Sequence, residues 1–218
     1  MLLAAIPAYQ EQENISDVVK GVKKEVDEVL VIDDGSDDNT SRAAKQGGAK
    51  VVTHEINRGQ GAALETGRQY AEKINADFLL FFDGDGQFEV GNIEPAVEKL
   101  KRSGADILFG SRFLDDKSQT PKSKKYFLLP IARSIESFFT GLSLTDVHNG
   151  FKILSKTAIK EIEITQDRMA HATEIPKQVK EKGLEYIEFP TKVSYENYGQ
   201  SILGGVSVLR DLVLGRFL

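Results

Sequence analysis

The chain contains no cysteine. Disulfides and thiolate metal sites are thereby excluded, and the composition is compatible with a reducing interior. It also lacks any run near the ~18 apolar residues that a membrane-spanning helix requires, which leaves a soluble chain or one lying on a membrane surface. Positive charge is not in excess: 28 Lys and Arg stand against 33 Asp and Glu, a net charge of −5. That balance gives no general electrostatic reason to bind nucleic acid, so an anionic partner has to be met by a local basic patch. The amino terminus has no basic region of the signal-peptide kind, and Pro7 ends its apolar run, so Leu2 to Ile6 reads as a first strand. There is no internal repeat and no low-complexity tract. Within 218 residues, 40% hydrophobic and 28% charged, this composition describes a folded domain with a full-sized core and room for a small appendage.

The most informative stretch runs from Phe78 to Phe88. Its first five residues are uniformly apolar, as in a strand covered on both faces of a sheet, and they stop at Asp83-Gly84-Asp85-Gly86-Gln87. Two carboxylates one residue apart, with a glycine between them that lets the chain turn tightly, can converge on one hard divalent cation, Mg²⁺ or Mn²⁺. Gln87 adds a neutral oxygen. A plain polar turn is the simpler alternative, since Asp and Gly are ordinary turn residues. A calcium loop fits poorly: Asp83, Asp85, Gln87 and Glu94 fall at the right spacing, but Phe88 stands where that loop needs glycine and a strand stands where it needs a helix.

Before this stretch, strands and helices alternate. Leu2 to Ile6, Val29 to Ile32 and Lys50 to Thr53 read as strands. The helix between the first two is capped at Asn14 or Ser16 and carries Ile15, Val18, Val19, Val22 and Val26 at helical spacing. A further helix opens at Asn57-Arg58-Gly59 and runs to about Lys73, another spans roughly Asn92 to Ser103, and Asp106 to Phe109 is a fifth strand. This alternation predicts an α/β fold, a mostly parallel Rossmann-like sheet with helices on both faces. In such sheets ligands bind outside the carboxyl ends of the strands. Pro7-Ala8-Tyr9, Asp33-Asp34, Asn57-Arg58-Gly59, Asp83-Gly84-Asp85 and Gly110-Ser111-Arg112 all lie at such ends, so their chemistry is expected in one cleft. The remainder is less regular: a turn at Asp146 to Phe151 entering a strand to Leu154, a helix from about Arg168 to Lys182 carrying His171 and Glu174, strands near Tyr186 to Phe189 and Lys192 to Tyr195, and an amphipathic segment from Ser201 to Leu218.

Six motifs in this order resemble the family 2 glycosyltransferases of the GT-A fold, and among them the polyprenyl-phosphate sugar transferases of the dolichyl-phosphate mannose synthase kind. They are Pro7-Ala-Tyr-Gln-Glu11, Val31-Ile-Asp-Asp-Gly-Ser36, Asn57-Arg-Gly-Gln-Gly61, Asp83-Gly-Asp-Gly-Gln87, Gly110-Ser-Arg112 and Asn149-Gly-Phe151. The resemblance covers about residues 1–155 well. It implies a GT-A domain over 1–218, with a nucleotide-sugar-binding half to 112, an acceptor-side half from 113 to 200 and a terminal amphipathic helix from 201.

The resemblance further implies a metal-dependent, inverting transfer of sugar from a nucleotide diphosphate sugar, GDP-mannose or a UDP-sugar, to a polyprenyl phosphate. In the family the regions of Pro7, Ala8 and Tyr9 and of Asp33 and Asp34 hold the nucleoside, with Glu11 facing the same pocket. Carboxylates suit ribose and imide donors; the alternative is that Asp33 and Asp34 cap the following helix. Asn57, Arg58, Gly59, Asp83 and Gly84 complete the expected donor site, and Asp83, Asp85 and Gln87 the metal site. Arg112, Arg133 and Lys152 are candidates for the acceptor phosphate, because a second anion in an already anionic cleft needs cations. Asp85, Arg112 and Asp146 are the expected catalytic residues; a phosphate nucleophile, already ionised near neutral pH, needs no strong base, whereas a hydroxyl acceptor would require one, for which Asp146, His148 and Glu174 are the candidates. Transfer to a sugar hydroxyl or a protein, and a non-catalytic nucleotide-binding subunit, are the alternative readings. Lys122, Lys124 and Lys125 precede Tyr126, Phe127, Leu128 and Leu129, an order suited to an anionic lipid surface. The expected location is cytoplasmic, peripheral on the cytoplasmic face of a membrane or beside a membrane-embedded partner subunit.

Overall fold

A computed structural model of the chain describes residues 1–114 and 140–193. Arg133, the basic and apolar stretch from Lys122 onward and the terminal amphipathic segment lie outside the described residues. The elements are β1 (Leu2–Ala8), α1 (Ile15–Val22), β2 (Glu28–Asp33), α2 (Thr40–Gly47), β3 (Lys50–Thr53), α3 (Gln60–Lys73), β4 (Phe78–Phe81), α4 (Ile93–Ser103), β5 (Ile107–Ser111), β6 (Lys152–Ser155), α5 (Lys156–Glu161), α6 (His171–Glu181) and β7 (Tyr186–Pro190). The short α5 was not expected; its entry is capped by the Ser155 hydroxyl, which accepts from the Ala158 N–H.

One seven-stranded sheet results, in the order β3-β2-β1-β4-β6-β5-β7. Side chains alternate along each strand, and the sheet therefore builds two cores. Leu3, Ala5, Leu30, Ile32, Leu79, Phe81, Ile107 and Phe109 face Ala63 and Leu64 of α3, Ile159 of α5 and Ile175 and Val179 of α6. Ala4, Ile6, Val29, Val31, Leu80, Leu108 and Ile153 face α1, α2 and α4 on the other side. Burial on both faces is why these strands read as unbroken apolar runs.

Two features of the topology position the site. The chain moves from β1 outward to β2 and β3, then crosses back to β4 on the other side of β1, which puts a switch point between β1 and β4. The second feature departs from simple alternation: β5 does not pair with β4. Strand β6 lies between them, antiparallel to both, with Lys152 opposite Phe81 of β4 and Phe109 of β5. Because β6 runs the other way, it begins where its neighbours end, and the Asp146 to Phe151 turn is delivered to the carboxyl edge of the sheet. Among the described residues no helix is long and apolar enough to cross a membrane.

Candidate active site

At the end of β2 both acidic side chains are buried and committed to the protein's own loops. Asp33 accepts from the Ser36 N–H at 3.0 Å and from the Ser41 hydroxyl of α2, so it pins the β2–α2 loop without capping the helix, whose Thr40 N–H goes to Asp38 at 2.9 Å. Asp34, 3% exposed, accepts from the backbone N–H groups of Arg58 at 3.0 Å and Gly59 at 2.6 Å, and pairs with His54 Nδ1 at 2.7 Å. The other ring nitrogen of His54 meets the Thr66 hydroxyl at 2.9 Å. Asp34 thus fixes the loop at the start of α3. At the end of β1, Tyr9 is exposed, and Glu11 lies partly buried with the Asn14 amide on its carboxylate at 3.1 Å. Burial, joined by the negative charges of Asp85 and Asp38, raises the Glu11 carboxyl against the opposing Asn14 bond. Glu11 therefore lies within the field of the Asp85 loop.

Asp83 and Asp85 follow β4. Burial, then the charge of Asp85, pushes the Asp83 carboxyl up to about 6, with Lys152, Arg112 and the Gln60 amide pulling the other way. Gln60, the first residue of α3, donates to Asp83 at 3.1 Å, and Asp85 accepts from the Gln87 N–H at 2.9 Å. From the opposite side the backbone of Gly150 comes so close that a Cβ there would sit 2.0 Å from an Asp83 oxygen. Only glycine permits that approach. Two partly buried carboxylates whose like charges repel fit a divalent cation, which would relieve the repulsion. Among the described residues no cluster of three or more His, Asp or Glu could hold a metal. The fit is thus of the sparse kind in which one or two carboxylates share the ion with substrate phosphates.

One polar network joins the end of β5 to the turn before β6. Arg112 grips Asp146 through Nε at 2.7 Å and a terminal nitrogen at 2.8 Å, and its backbone N–H meets the same carboxylate at 3.1 Å. Burial favours the neutral Asp146, but the bonds and charge of Arg112 and the Asn149 amide outweigh it and hold the carboxyl below its ordinary range. Asn149 donates to Asp146 and to the Thr191 hydroxyl, accepts from the Phe151 N–H, and takes the Lys152 ammonium on its carbonyl oxygen. Lys152 is buried, 3% exposed; burial pushes its ammonium down to about 8, although Asp83 and Asp146 favour the charge. It reaches the site as a buried countercharge to Asp83, not as a group at the cleft surface.

Two residues of α6 close this side. His171 is buried, and its Nδ1–H donates to the Arg168 carbonyl at 2.6 Å. Burial first, with the charges of Lys152 and His148, pushes it down to about 4, against the Arg168 bond and Glu174. Glu174 accepts from the Thr165 N–H at 3.1 Å, the Thr165 hydroxyl and the Gln166 N–H at 3.0 Å. Arg58 is half-exposed, its guanidinium 3.4 Å from Asp167. Gln60, His54 and Gly150 were not singled out individually from sequence. Gln60 and Gly150 lay inside quoted motifs, but nothing in their spacing said that both would touch Asp83.

Fold and site together define an α/β enzyme of the GT-A kind, with paired carboxylates beside the switch point of a mostly parallel sheet. The model of the glycosyl transferase family 2 matches residues 4–163, and the chain belongs to that family. It is 31% identical to an uncharacterized protein of Methanocaldococcus jannaschii, over 98% of this chain and 91% of that one. It is 27% identical to the UDP-N-acetylglucosamine–dolichyl-phosphate N-acetylglucosaminyltransferase of Methanococcus voltae, over 98% and 95% of the two chains. Among solved structures it is similar to glucosyl-3-phosphoglycerate synthase of Mycobacterium tuberculosis, crystallised with Mn²⁺, UDP-glucose and phosphoglyceric acid. The TM-score is 0.69 at 18% identity, covering 95% of this chain and 76% of that one.

The buried, neutral His171 yields a pH prediction. Its folded value lies below its ordinary 6.5, so the unfolded chain binds the extra proton first as pH falls. Stability from this group is full above about 6.5 and is lost toward 4. Between pH 7 and pH 5 the loss is about 2 kcal/mol. Asp83, raised in the fold, acts in the opposite sense, so the quantity to read is the difference between chains. Chemical denaturation at the two pH values should show His171→Gln losing about 2 kcal/mol less than the wild type. Equal losses would place the His171 charge elsewhere.

Proposed function

We propose that this glycosyltransferase moves a sugar from a nucleotide diphosphate sugar, GDP-mannose or a UDP-sugar, to a polyprenyl phosphate, with inversion by single displacement. The observation that carries this reading is the condition of the two carboxylates suited to act as a base. Asp146 is locked in a bidentate pair with Arg112 and held low, and Glu174 is filled by backbone and hydroxyl donors. A hydroxyl nucleophile needs a base to remove its proton. A phosphate monoester, with a second pKa of about 6, arrives ionised. The name of the Methanococcus voltae relative, a dolichyl-phosphate transferase, supports the same acceptor class.

On the donor side, Asp83, Asp85 and Gln87 would hold Mg²⁺ or Mn²⁺, as the neighbour crystallised with Mn²⁺ and UDP-glucose favours. When bound, the ion neutralises charge growing on the departing diphosphate. The protein's own part is positional: Asp34 fixes the Arg58–Gly59 loop, Pro7, Ala8, Tyr9 and Glu11 line the nucleoside side, and Gly150 holds Asp83 in place. Arg112, oriented by Asp146, meets the acceptor phosphate with a planar fork that the point charge of lysine cannot reproduce. Since a polyprenyl phosphate resides in a bilayer, the enzyme works peripherally on the cytoplasmic face of a membrane or beside a membrane-embedded partner.

Product analysis with a nucleotide-sugar panel and three acceptor conditions, polyprenyl phosphate, a free sugar or none, tests the reading. Lipid-linked sugar is the expected product, and Asp85→Asn should lower turnover by orders of magnitude. Transfer only to a sugar hydroxyl, or donor binding without any product, would replace the reading with one of its alternatives. Full activity in excess EDTA would remove the metal.

Arg112→Lys should lower transfer efficiency about ten- to a hundred-fold, the cost of one charge-assisted contact, with little change in the nucleotide-sugar dissociation constant. Collapse of donor affinity with unchanged dependence on polyprenyl phosphate would assign Arg112 to the diphosphate instead.

A further inference from the structure

Residues 163–168 connect α5 to α6, yet they lie against the start of α3, about a hundred positions earlier in the chain. The Ala62 N–H, one of the early helical donors without an intrahelical partner, donates to the Asp167 carbonyl at 3.1 Å. The Arg58 guanidinium lies 3.4 Å from the Asp167 carboxylate. The fit is close enough that a Cβ on Gly59 would sit 2.5 Å from the Asp167 oxygen and one on Gly61 1.9 Å from the Gln166 oxygen. The glycines of the Asn57-Arg-Gly-Gln-Gly61 motif thus make room for this segment as well as for any ligand.

What holds the segment there is Glu174, in the first turn of α6. Both of its carboxylate oxygens lie 3.1 Å from the Thr165 N–H; it also accepts from the Thr165 hydroxyl, and from the Gln166 N–H at 3.0 Å. The Ile164 N–H is tied to Glu65 of α3 at 2.9 Å, so the segment is fastened to both helices. We infer that Glu174 is a positioning residue for the donor site, acting through residues 165–167 on the Arg58–Gly61 loop. This rests on the reading above in one respect only, that the loop serves the nucleotide diphosphate sugar. Its own content is mechanical. Asp34 holds the Arg58–Gly59 backbone from the sheet side, and the Glu174-pinned segment holds the same loop from the α6 side.

A carboxylate filled by such donors is a brace and not a base, and the two roles separate experimentally. Amide hydrogen exchange over 57–62 and 163–168 and steady-state kinetics with UDP-glucose and GDP-mannose would be measured on the wild type, Glu174→Ala and Glu174→Gln. Glu174→Ala should raise exchange of the Arg58 to Ala62 amides at least about ten-fold and raise donor KM by about the same factor, an order of magnitude being the scale for losing a charge-assisted brace. The pH profile of kcat/KM should keep its shape. Glu174→Gln should recover part of both effects, because its amide oxygen still accepts from the Thr165 and Gln166 N–H groups.

Unchanged exchange at 58–62 in Glu174→Ala overturns the inference. So does a loss confined to kcat with an altered pH profile that Gln does not rescue, which would make Glu174 a base. Raised exchange with unchanged donor KM also overturns it, leaving a brace without a role in donor binding. Should Glu174→Ala fail to fold, Glu174→Asp, which draws the carboxylate back from Thr165 and Gln166 by one methylene, is read the same way, with unchanged exchange and unchanged KM again decisive against. If the wild type turns over no nucleotide sugar of the panel, the functional reading fails by itself, and the exchange data still decide the mechanical claim.

Discussion

Asp83 lies directly against the backbone of Gly150, and the two arrive there from opposite directions, one on the end of β4 and the other on the approach to β6. Strand β6 runs antiparallel between two strands that are not consecutive neighbours in the sheet. Its start, not its end, therefore meets the carboxyl edge. The same turn carries a polar network: Asn149 bridges Asp146 and Thr191, its carbonyl holds Lys152, and Asp146 holds Arg112.

The charges follow the same logic. Taking carboxylates out of water is expensive unless each is paired or hydrogen-bonded. Asp146 has Arg112, Asp34 has His54 and two backbone donors, and Asp33 has a serine hydroxyl and a backbone donor. Among the described residues no buried side-chain nitrogen or oxygen lacks a partner. Asp83 differs in kind: its strongest influences are burial and the like charge of Asp85, with Lys152 as a partial counterweight. The place where negative charge is least compensated is thus where a cation and a diphosphate would meet.

Much of this was legible in the residues. Strands covered on both faces gave unbroken apolar runs, helices gave 3.6-residue spacing, and the abrupt change at Asp83 marked a strand end. The gathering of the loops after β1, β2, β4 and β5 followed from alternation alone. Partnership was not legible. A four-residue strand such as Lys152–Ser155 carries no signal of which neighbours it will choose, so its insertion beside β4 could not be foreseen. Asp33 and Asp34 read as ligand acceptors with capping as the alternative, and only the positions of Ser41, His54 and Gly59 show which groups of the protein they bond. Asp146 and Glu174 looked like candidate bases because carboxylates in a cleft do; donors contributed by Arg112 and by Thr165 and Gln166 changed that role, and the first of these pairings spans 34 positions. Arg133 lies outside the described residues, and its part is a matter of sequence alone.

On the proposed reading the nucleophile brings its own charge and the protein supplies position. The most direct measurement is the acidic limb of the pH–rate profile for kcat/KM, compared between a polyprenyl phosphate and its α,α-difluoromethylenephosphonate analogue of lower second pKa. A limb that moves down with the acceptor is the predicted result, because the ionisation then belongs to the phosphate, with its second pKa of about 6. A limb that stays fixed when the acceptor changes, and shifts instead in Asp146→Asn or Glu174→Gln, would show a protein base at work and contradict the account.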